Sequence, residues 1–295
     1  MDTFTASNFG QLVNAYTISN GNPRTIMVPQ ASQLAKLQEV TVSGTLFPKQ
    51  KITLDPTTNQ RRITLGSNNG AYTQAELDGD LHFSFGTQQG DPHIACELQN
   101  AAAWLSTFNA AIGQDMTVSG FFRCLFEHPG FRSNDDAHIF EIHPVRAVML
   151  GEALHSFDID TPNPDTINRW TTPRNLNVSD RRVRVSYDEA NDMLTFTNMP
   201  GMDENYVSVT GNLSNIQLNT DSAAASSFTL TSPDITNPIQ VSCLKGTTAA
   251  LQLNQLQVNG TTSIFMICLR NIDLSQALLG RYVINLLAID IHPAA

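Results

Sequence analysis

Carboxylate and imidazole side chains occur two residues apart on two strand-like segments of the chain. Asp80 and His82 form the first pair, and Glu141 and His143 form the second. Residues two apart share one face of a strand, so each pair projects from one side of its segment. Two carboxylates and two imidazoles from two strands could hold a divalent metal or carry out acid–base catalysis. A metal-dependent hydrolase is therefore one hypothesis for this chain.

A structural role for the same side chains is the competing interpretation. Polar groups at strand ends often satisfy backbone and neighbouring side chains, and His143 stands before Pro144, where the backbone is held extended. Glu97 and His128 could add to the metal-binding or acid–base cluster. A later segment ends with Asp290 and His292 but lacks a second Asp-x-His pair, which favours the structural interpretation.

A second group combines arginine with aromatic side chains, and it suits a different chemistry. Guanidinium groups contact phosphates and aromatic rings stack on bases, so the combination fits single-stranded nucleic acid. The alternative is that these residues are the polar positions of an exposed strand, where arginines protect the strand edge from aggregation. The group comprises Arg169, Trp170, Arg174, Arg181, Arg182, Arg184 and the nearby Tyr187. The candidate ligand-binding residues are Trp170, Arg174, Arg182 and Arg184.

Net charge, sequence motifs and cysteine spacing limit the classes of function that the chain can have. The 295-residue chain carries a formal net charge of −10, which argues against unselective coating of DNA. No GxSxG, HExxH or P-loop motif occurs, and the four cysteines lack the close spacing of a zinc ribbon. We expect a cytoplasmic protein without a cofactor or a membrane partner, and a homo-oligomer remains an open alternative.

The elements that must position these groups are mostly strands. Alternating runs occur at Val40–Phe47 and at Met116–Phe122, and paired runs flank Asp55–Asn59 as a hairpin does. A short Ala-rich helix over 101–111 precedes the predicted fourth strand of a five-stranded barrel, within the 78–145 block. Strand, strand, helix, strand, strand is the order of the later part of an OB-type barrel. A β-sandwich is the competing architecture.

The first and last strands of the predicted first barrel recur later in the chain. Val40–Leu46 matches Val207–Leu213, and Glu141–Pro144 matches Asp290–Pro293. We therefore predict a mainly β protein with two OB-like β-barrel domains that arose by internal duplication. The predicted division is an N-terminal segment 1–36, a first barrel 37–150, a packed connector 151–180 and a second barrel 181–295.

Four blocks of the first half resemble a largely uncharacterised bacterial family. The blocks are Asp78-Gly-Asp-Leu-His82, Ile94–Leu98, Thr117–Phe122 with His128, and Glu141-Ile-His-Pro-Val145. Leu81 and Arg123 depart from that family's pattern, which has an aromatic and an acidic residue there. The resemblance implies an OB-like barrel and brings no activity with it.

These patterns favour a non-catalytic binding protein with tandem OB-like domains, whose ligand is a short single-stranded nucleic acid. The alternatives are a structural, protein-interaction or assembly module, and the metal-dependent hydrolase.

Overall fold

The structure is a computed structural model. It describes residues 1–19, 25–54, 61–65, 68–72, 80–87, 94–99, 101–124, 138–157, 184–197, 206–218, 226–244, 246–256, 262–268, 272–282 and 285–294. His128, Trp170, Arg174 and Arg182 lie outside the described residues, as does most of the predicted connector.

Five strands and one short helix build the first barrel. Their order along the chain is β4 (Glu39–Leu46), β7 (Leu81–Gly86), β8 (Ile94–Leu98), α3 (Leu105–Ala110), β9 (Asp115–Cys124) and β10 (Phe140–Leu150). A 3₁₀ turn at Ala101–Trp104 leads into α3. The strands alternate apolar residues that enter the core, such as Val40 and Val42 of β4, with residues on the outer face.

The pairings of these strands run in a ring. β4 is antiparallel to β7, β7 to β8, β10 to β9 and β9 to β4, and β8 is parallel to β10. The ring therefore has the order first, second, third, fifth, fourth, with a helix between the third and fourth strands. This curled sheet has the Greek-key arrangement of an OB-type barrel.

Further elements extend the first barrel. β1 (Asp2–Thr5) runs parallel to β4, and β11 (Ala153–Ser156) is antiparallel to β10. Helix α1 (Ala6–Val13) buries Phe9, whose ring lies edge-on 5.9 Å from that of Phe122. The loop between β4 and β7 contains a hairpin of β5 (Gln50–Leu54) and β6 (Arg61–Leu65), then a 3₁₀ turn at Asn68–Gly70.

The second barrel is closed and repeats the same order. Its elements are β14 (Tyr206–Gln217), β15 (Ser226–Thr231), β16 (Ile239–Cys243), α4 (Thr248–Gln255), β17 (Thr262–Cys268) and β18 (Leu286–Pro293), with α5 (Leu274–Leu278) before β18. The closed order is β14-β15-β16-β18-β17. Its separate core includes Val207, Phe228 and Leu230. The mainly β fold with two OB-like barrels is confirmed, and the matched segments are the first and last strands of each barrel.

A glycine marks the same point in both first strands. Gly44 in β4 and Gly211 in β14 lie where the strand leaves the fourth strand of its barrel and joins the second. A Cβ on Gly44 would lie 2.7 Å from the Gly86 carbonyl oxygen, and one on Gly211 would collide with the Thr231 carbonyl oxygen. The close backbone approach excludes a side chain at both positions.

A separate four-stranded sheet joins distant parts of the chain. Its order is β12 (Arg184–Asp188), β13 (Met193–Thr197), β3 (Thr25–Pro29) and β2 (Thr17–Ser19). Asp192 accepts hydrogen bonds from the backbone N–H and the hydroxyl of Ser32, at the start of α2 (Ala31–Leu34). Strands of the predicted N-terminal segment thus pair with strands placed in the predicted second domain, and the four-part division stays a prediction.

The two barrels contact each other through apolar side chains. Tyr206 of β14 and Leu287 and Ile289 of β18 form a small buried cluster, against which Phe121 of β9 packs. Among the described residues, no helix is long and apolar enough to span a bilayer.

Candidate functional site

A buried polar cluster lies on the outer face of the first barrel. His82 of β7 stands opposite Glu97 of β8, and Glu141 of β10 stands opposite Arg123 of β9. Because the inner positions of these strands carry apolar residues, the polar ones share the outer face. The four predicted residues Asp80, His82, Glu141 and His143 are thus brought together. Glu97, Arg123, His138 and Tyr206 complete the cluster.

Arg123 is the cation at the centre of the cluster. Its side chain is 0% exposed, donates from Nε to Glu141 Oε1 at 2.5 Å and also contacts that oxygen through Nη2. The same Nη2 lies 3.4 Å from Glu97 Oε2. One guanidinium therefore holds two carboxylates that are themselves withdrawn from water, at 1% exposure each.

His143 connects Arg123's partners to Asp80. Its Nδ1 lies 2.6 Å from Glu97 Oε2 and 3.2 Å from Glu141 Oε1. Its Nε2 has no hydrogen-bond partner and lies 3.9 Å from Asp80 Oδ2. The ring is fully buried, so this arrangement excludes bulk water from both nitrogens.

Tyr206 links the cluster to the second barrel. Its hydroxyl donates to Asp80 Oδ2 at 2.6 Å, and its ring lies 6.2 Å from that of His143 in an edge-on orientation. Both partners of this hydrogen bond are buried. The polar cluster and the small apolar cluster around Tyr206 together form the contact between the barrels.

The surroundings shift the pKa values of Glu141, His143 and Cys96. Burial disfavours the charged form of Glu141, but Arg123 and the hydrogen bonds from His138 and His143 outweigh it, so the pKa of Glu141 lies well below its usual range. Burial, followed by the Arg123 charge, lowers the pKa of His143 against the opposing effect of Glu141 and Asp80. Burial and then Glu141 raise the pKa of the Cys96 thiol.

The chemistry available to the cluster is limited by its burial. Asp80, Glu97, Glu141 and His143 are exposed by at most 1%, so no substrate of ordinary size reaches them. A small cavity of about 20 Å³ adjoins His82 and His138, which is room for a single water molecule. The described contacts of the cluster are ion pairs and hydrogen bonds among its own side chains.

Sequence reasoning missed three members of the cluster. Arg123 was noted only as a departure from a family pattern, although a charged residue between Phe122 and Cys124 on a buried strand was the available signal. His138 stands two residues before β10, and Tyr206 belongs to the other barrel. No spacing rule in the sequence relates Tyr206 to Asp80.

Within the described part of the second barrel, the corresponding strand end makes different contacts. Asp290 accepts a hydrogen bond from the side-chain amide N–H of Gln252 at 2.5 Å. The amide oxygen of Gln252 accepts a hydrogen bond from the backbone N–H of Ile291 at 2.7 Å. His292 is exposed and lies 3.2 Å from Asp290. The end of β18 therefore contacts helix α4, whereas the corresponding end of β10 belongs to the buried polar cluster.

The segment that contains β5 and β6 is rich in basic residues. The hairpin region 49–65 contains Lys49, Lys51, Arg61 and Arg62, four of the chain's 17 lysines and arginines, against a single acidic residue. Lys51 is exposed, and Gln50 lines the small cavity beside His82. The hairpin thus adjoins the outer face of the second and third strands. Arg184 is exposed at the start of β12, and its role as a ligand contact stays a prediction.

Comparison with known proteins adds little to this description. No family model matches the chain, and no curated protein matches it, so the bacterial resemblance stays a prediction. The single-stranded DNA-binding protein of Thermus aquaticus aligns with 13% identity and a TM-score of 0.22, over 88% of this chain and 93% of that one. A murine DNA-binding protein bound to double-stranded DNA aligns with 10% identity and a TM-score of 0.25, over 86% and 96%. The tetrameric p202 HIN2 aligns with 7% identity and a TM-score of 0.23, over 86% and 91%. TM-scores this far below 0.5 carry no argument, so the OB-type assignment stands on the strand pairings alone.

Proposed function

We propose that this chain is a binding protein for short single-stranded nucleic acid, with the ligand held along the first barrel and the connector. The observation that carries the proposal is the position of the basic hairpin β5–β6. It lies in the loop between the first and second strands, and OB-type barrels use this loop and the adjoining strand face to bind oligonucleotides.

The charge of the chain also supports a nucleic-acid ligand that is held at a local basic surface. A chain with net charge −10 repels a polyanion at long range, so contact requires a local basic surface. The hairpin sequence carries four basic residues, and Trp170, Arg174, Arg182 and Arg184, in and directly after the connector, would add a second basic surface with an aromatic ring for stacking. A ligand that follows both surfaces would be single-stranded, because stacking on Trp170 requires an unpaired base.

Fluorescence polarisation with labelled single-stranded DNA and RNA tests the proposal. We expect binding that weakens between about 50 and about 200 mM salt, with a log–log slope near −0.7 for each phosphate contact. The double variant Lys51→Ala/Arg62→Ala should reduce that slope by about 1.4. The control Lys36→Ala/Arg146→Ala removes the same charge away from the hairpin and should leave the slope nearly unchanged.

A second variant separates the two surfaces. Arg182→Ala/Arg184→Ala should weaken binding of a long oligonucleotide more than binding of one that covers the hairpin alone. No binding of either nucleic acid at low salt would overturn the proposal and move the interpretation to a protein-interaction or assembly module.

A further inference from the structure

We propose that a groove at one end of the first barrel binds a neutral sugar ring. A cavity of about 400 Å³ lies there, between the start of helix α1 and the strands β4, β9 and β10. Small-molecule sites typically have volumes of about 300–1,000 Å³. The described residues that line the groove belong neither to the buried polar cluster nor to the hairpin β5–β6, so the inference is independent of nucleic-acid binding.

Hydroxyl groups dominate the polar part of the groove. A hydroxyl donates or accepts a hydrogen bond according to its rotation, and the hydroxyls of a sugar have the same property. The groove therefore matches a ligand whose polar groups are themselves hydroxyls. Six of the lining residues are serine or threonine, namely Thr5, Ser7, Ser43, Thr45, Thr87 and Thr117.

The charge of the groove narrows the class of ligand. Asp115 is the one ionisable side chain among the described lining residues, so a phosphate or carboxylate ligand would meet a like charge without a compensating cation. An exposed carboxylate also contributes little to an ion pair with an amine. Its two oxygens accept hydrogen bonds at the same time, which suits two neighbouring hydroxyls of a sugar.

Methionine side chains supply apolar surface for the C–H groups of a sugar ring. Met149 is 41% exposed and lines the groove together with Met116. A thioether side chain is flexible and adapts to irregular shapes. Ala6, the first residue of α1, adds a further apolar contact. The mixture of hydroxyl and apolar lining fits a sugar, which presents hydroxyls at its edge and C–H groups on its faces.

Hydrogen bonds fix the positions of the groove's strands. Ser43 Oγ and Thr117 Oγ1 are 2.8 Å apart, and this hydrogen bond joins β4 to β9. The backbone N–H of Gly151 donates to the carbonyl oxygen of Asp115 at 3.1 Å, which holds the start of β9. A groove that is formed before the ligand arrives loses less entropy on binding.

Saturation-transfer NMR with the methyl glycosides of glucose, galactose, mannose and N-acetylglucosamine tests the site on the full chain. We expect transfer to at least one glycoside, with a Kd of about 1 mM for one ring of about 13 non-hydrogen atoms. Ser7→Trp places an indole in the groove from the exposed start of α1 and should abolish the transfer. The matched control is Asn8→Trp, at the next exposed residue, which does not line the groove and should keep the transfer.

Asp115→Asn tests the role of the carboxylate. The substitution keeps the size of the side chain, and it should weaken sugar binding about tenfold because hydrogen bonds to a charged acceptor are stronger than those to a neutral one. Asp234→Asn, at an exposed acidic residue of the second barrel, is the control and should leave the affinity unchanged. Because Asp115 is exposed, the variant is expected to fold.

Three results would overturn the proposal. The first is no transfer to any of the four glycosides at about ten times the expected Kd. The second is transfer that Ser7→Trp leaves unchanged, which would place the sugar elsewhere on the protein. The third is transfer to spermidine but to none of the glycosides, lost in Asp115→Asn, which would show that the groove binds an amine instead.

Discussion

Replacing Arg123 by methionine removes the central cation of the buried cluster while keeping an unbranched side chain about as long as the arginine stem up to Nε. Glu97 and Glu141 then stay buried without their shared partner, at 1% exposure each. Removing one member of a buried ion pair typically costs about 3–5 kcal/mol, because the remaining charge is neither solvated nor paired. We expect Arg123→Met to lower the free energy of unfolding by this amount at neutral pH.

Urea unfolding followed by circular dichroism measures the effect. With an m-value of about 3 kcal/mol/M, the midpoint should fall by about 1–1.7 M. Arg281→Met, an exposed position after α5, is the control and should change stability by less than about 0.5 kcal/mol.

A double variant distinguishes charge from packing as the cause. Arg123→Met/Glu141→Met also removes the carboxylate that Arg123 contacts most closely, so it should be more stable than Arg123→Met alone. A loss below about 1 kcal/mol in Arg123→Met would refute the view that Arg123 compensates buried charge. A double variant less stable than the single one would show that packing, and not charge, dominates.

Two further predictions concern the barrels themselves. Gly211→Ala should destabilise the protein by about 1–3 kcal/mol, because the new Cβ meets the Thr231 carbonyl oxygen, whereas Ser208→Ala on the exposed face should be nearly neutral in the same urea titration. Burial raises the pKa of Cys243 to about 12, so its reactive thiolate is present only near or above that pH. At pH 8 only about one thiol in 10,000 is ionised, and iodoacetamide labelling of the Cys243 peptide, read by mass spectrometry, should be slow until denaturant is added. Equal labelling of native and unfolded protein would contradict this.

Contact with the second barrel contributes to the burial of the cluster. Outer positions of a barrel normally face water, and there carboxylates and histidines need no special partners. Here Leu287 and Ile289 of the second barrel, with Tyr206, pack near the outer face of the first. Polar residues that a lone barrel would expose are thereby enclosed, and Arg123 becomes necessary.

The sequence by itself determined the class of fold and the strands that begin and end each barrel. Alternation along Val40–Leu46 and Val207–Leu213 fixes which residues face the core, because side chains on a strand have a period of two. The hairpin around Asp55–Asn59 was also predicted from its flanking alternation and turn residues, and the structure pairs β5 with β6 there. Such features depend on neighbours along the chain.

Only the tertiary structure decided which polar residues meet. The Asp80, His82, Glu141 and His143 grouping followed from strand faces, but Arg123 and Tyr206 joined it through pairings that the spacing of residues does not encode. Tyr206 reaches Asp80 across 126 residues because two barrels pack together, and Arg123 faces Glu141 because of the register between β9 and β10. Alternation along a strand sets the face that each residue occupies. It does not name the residue that stands opposite on another strand, nor the surface that a second barrel covers.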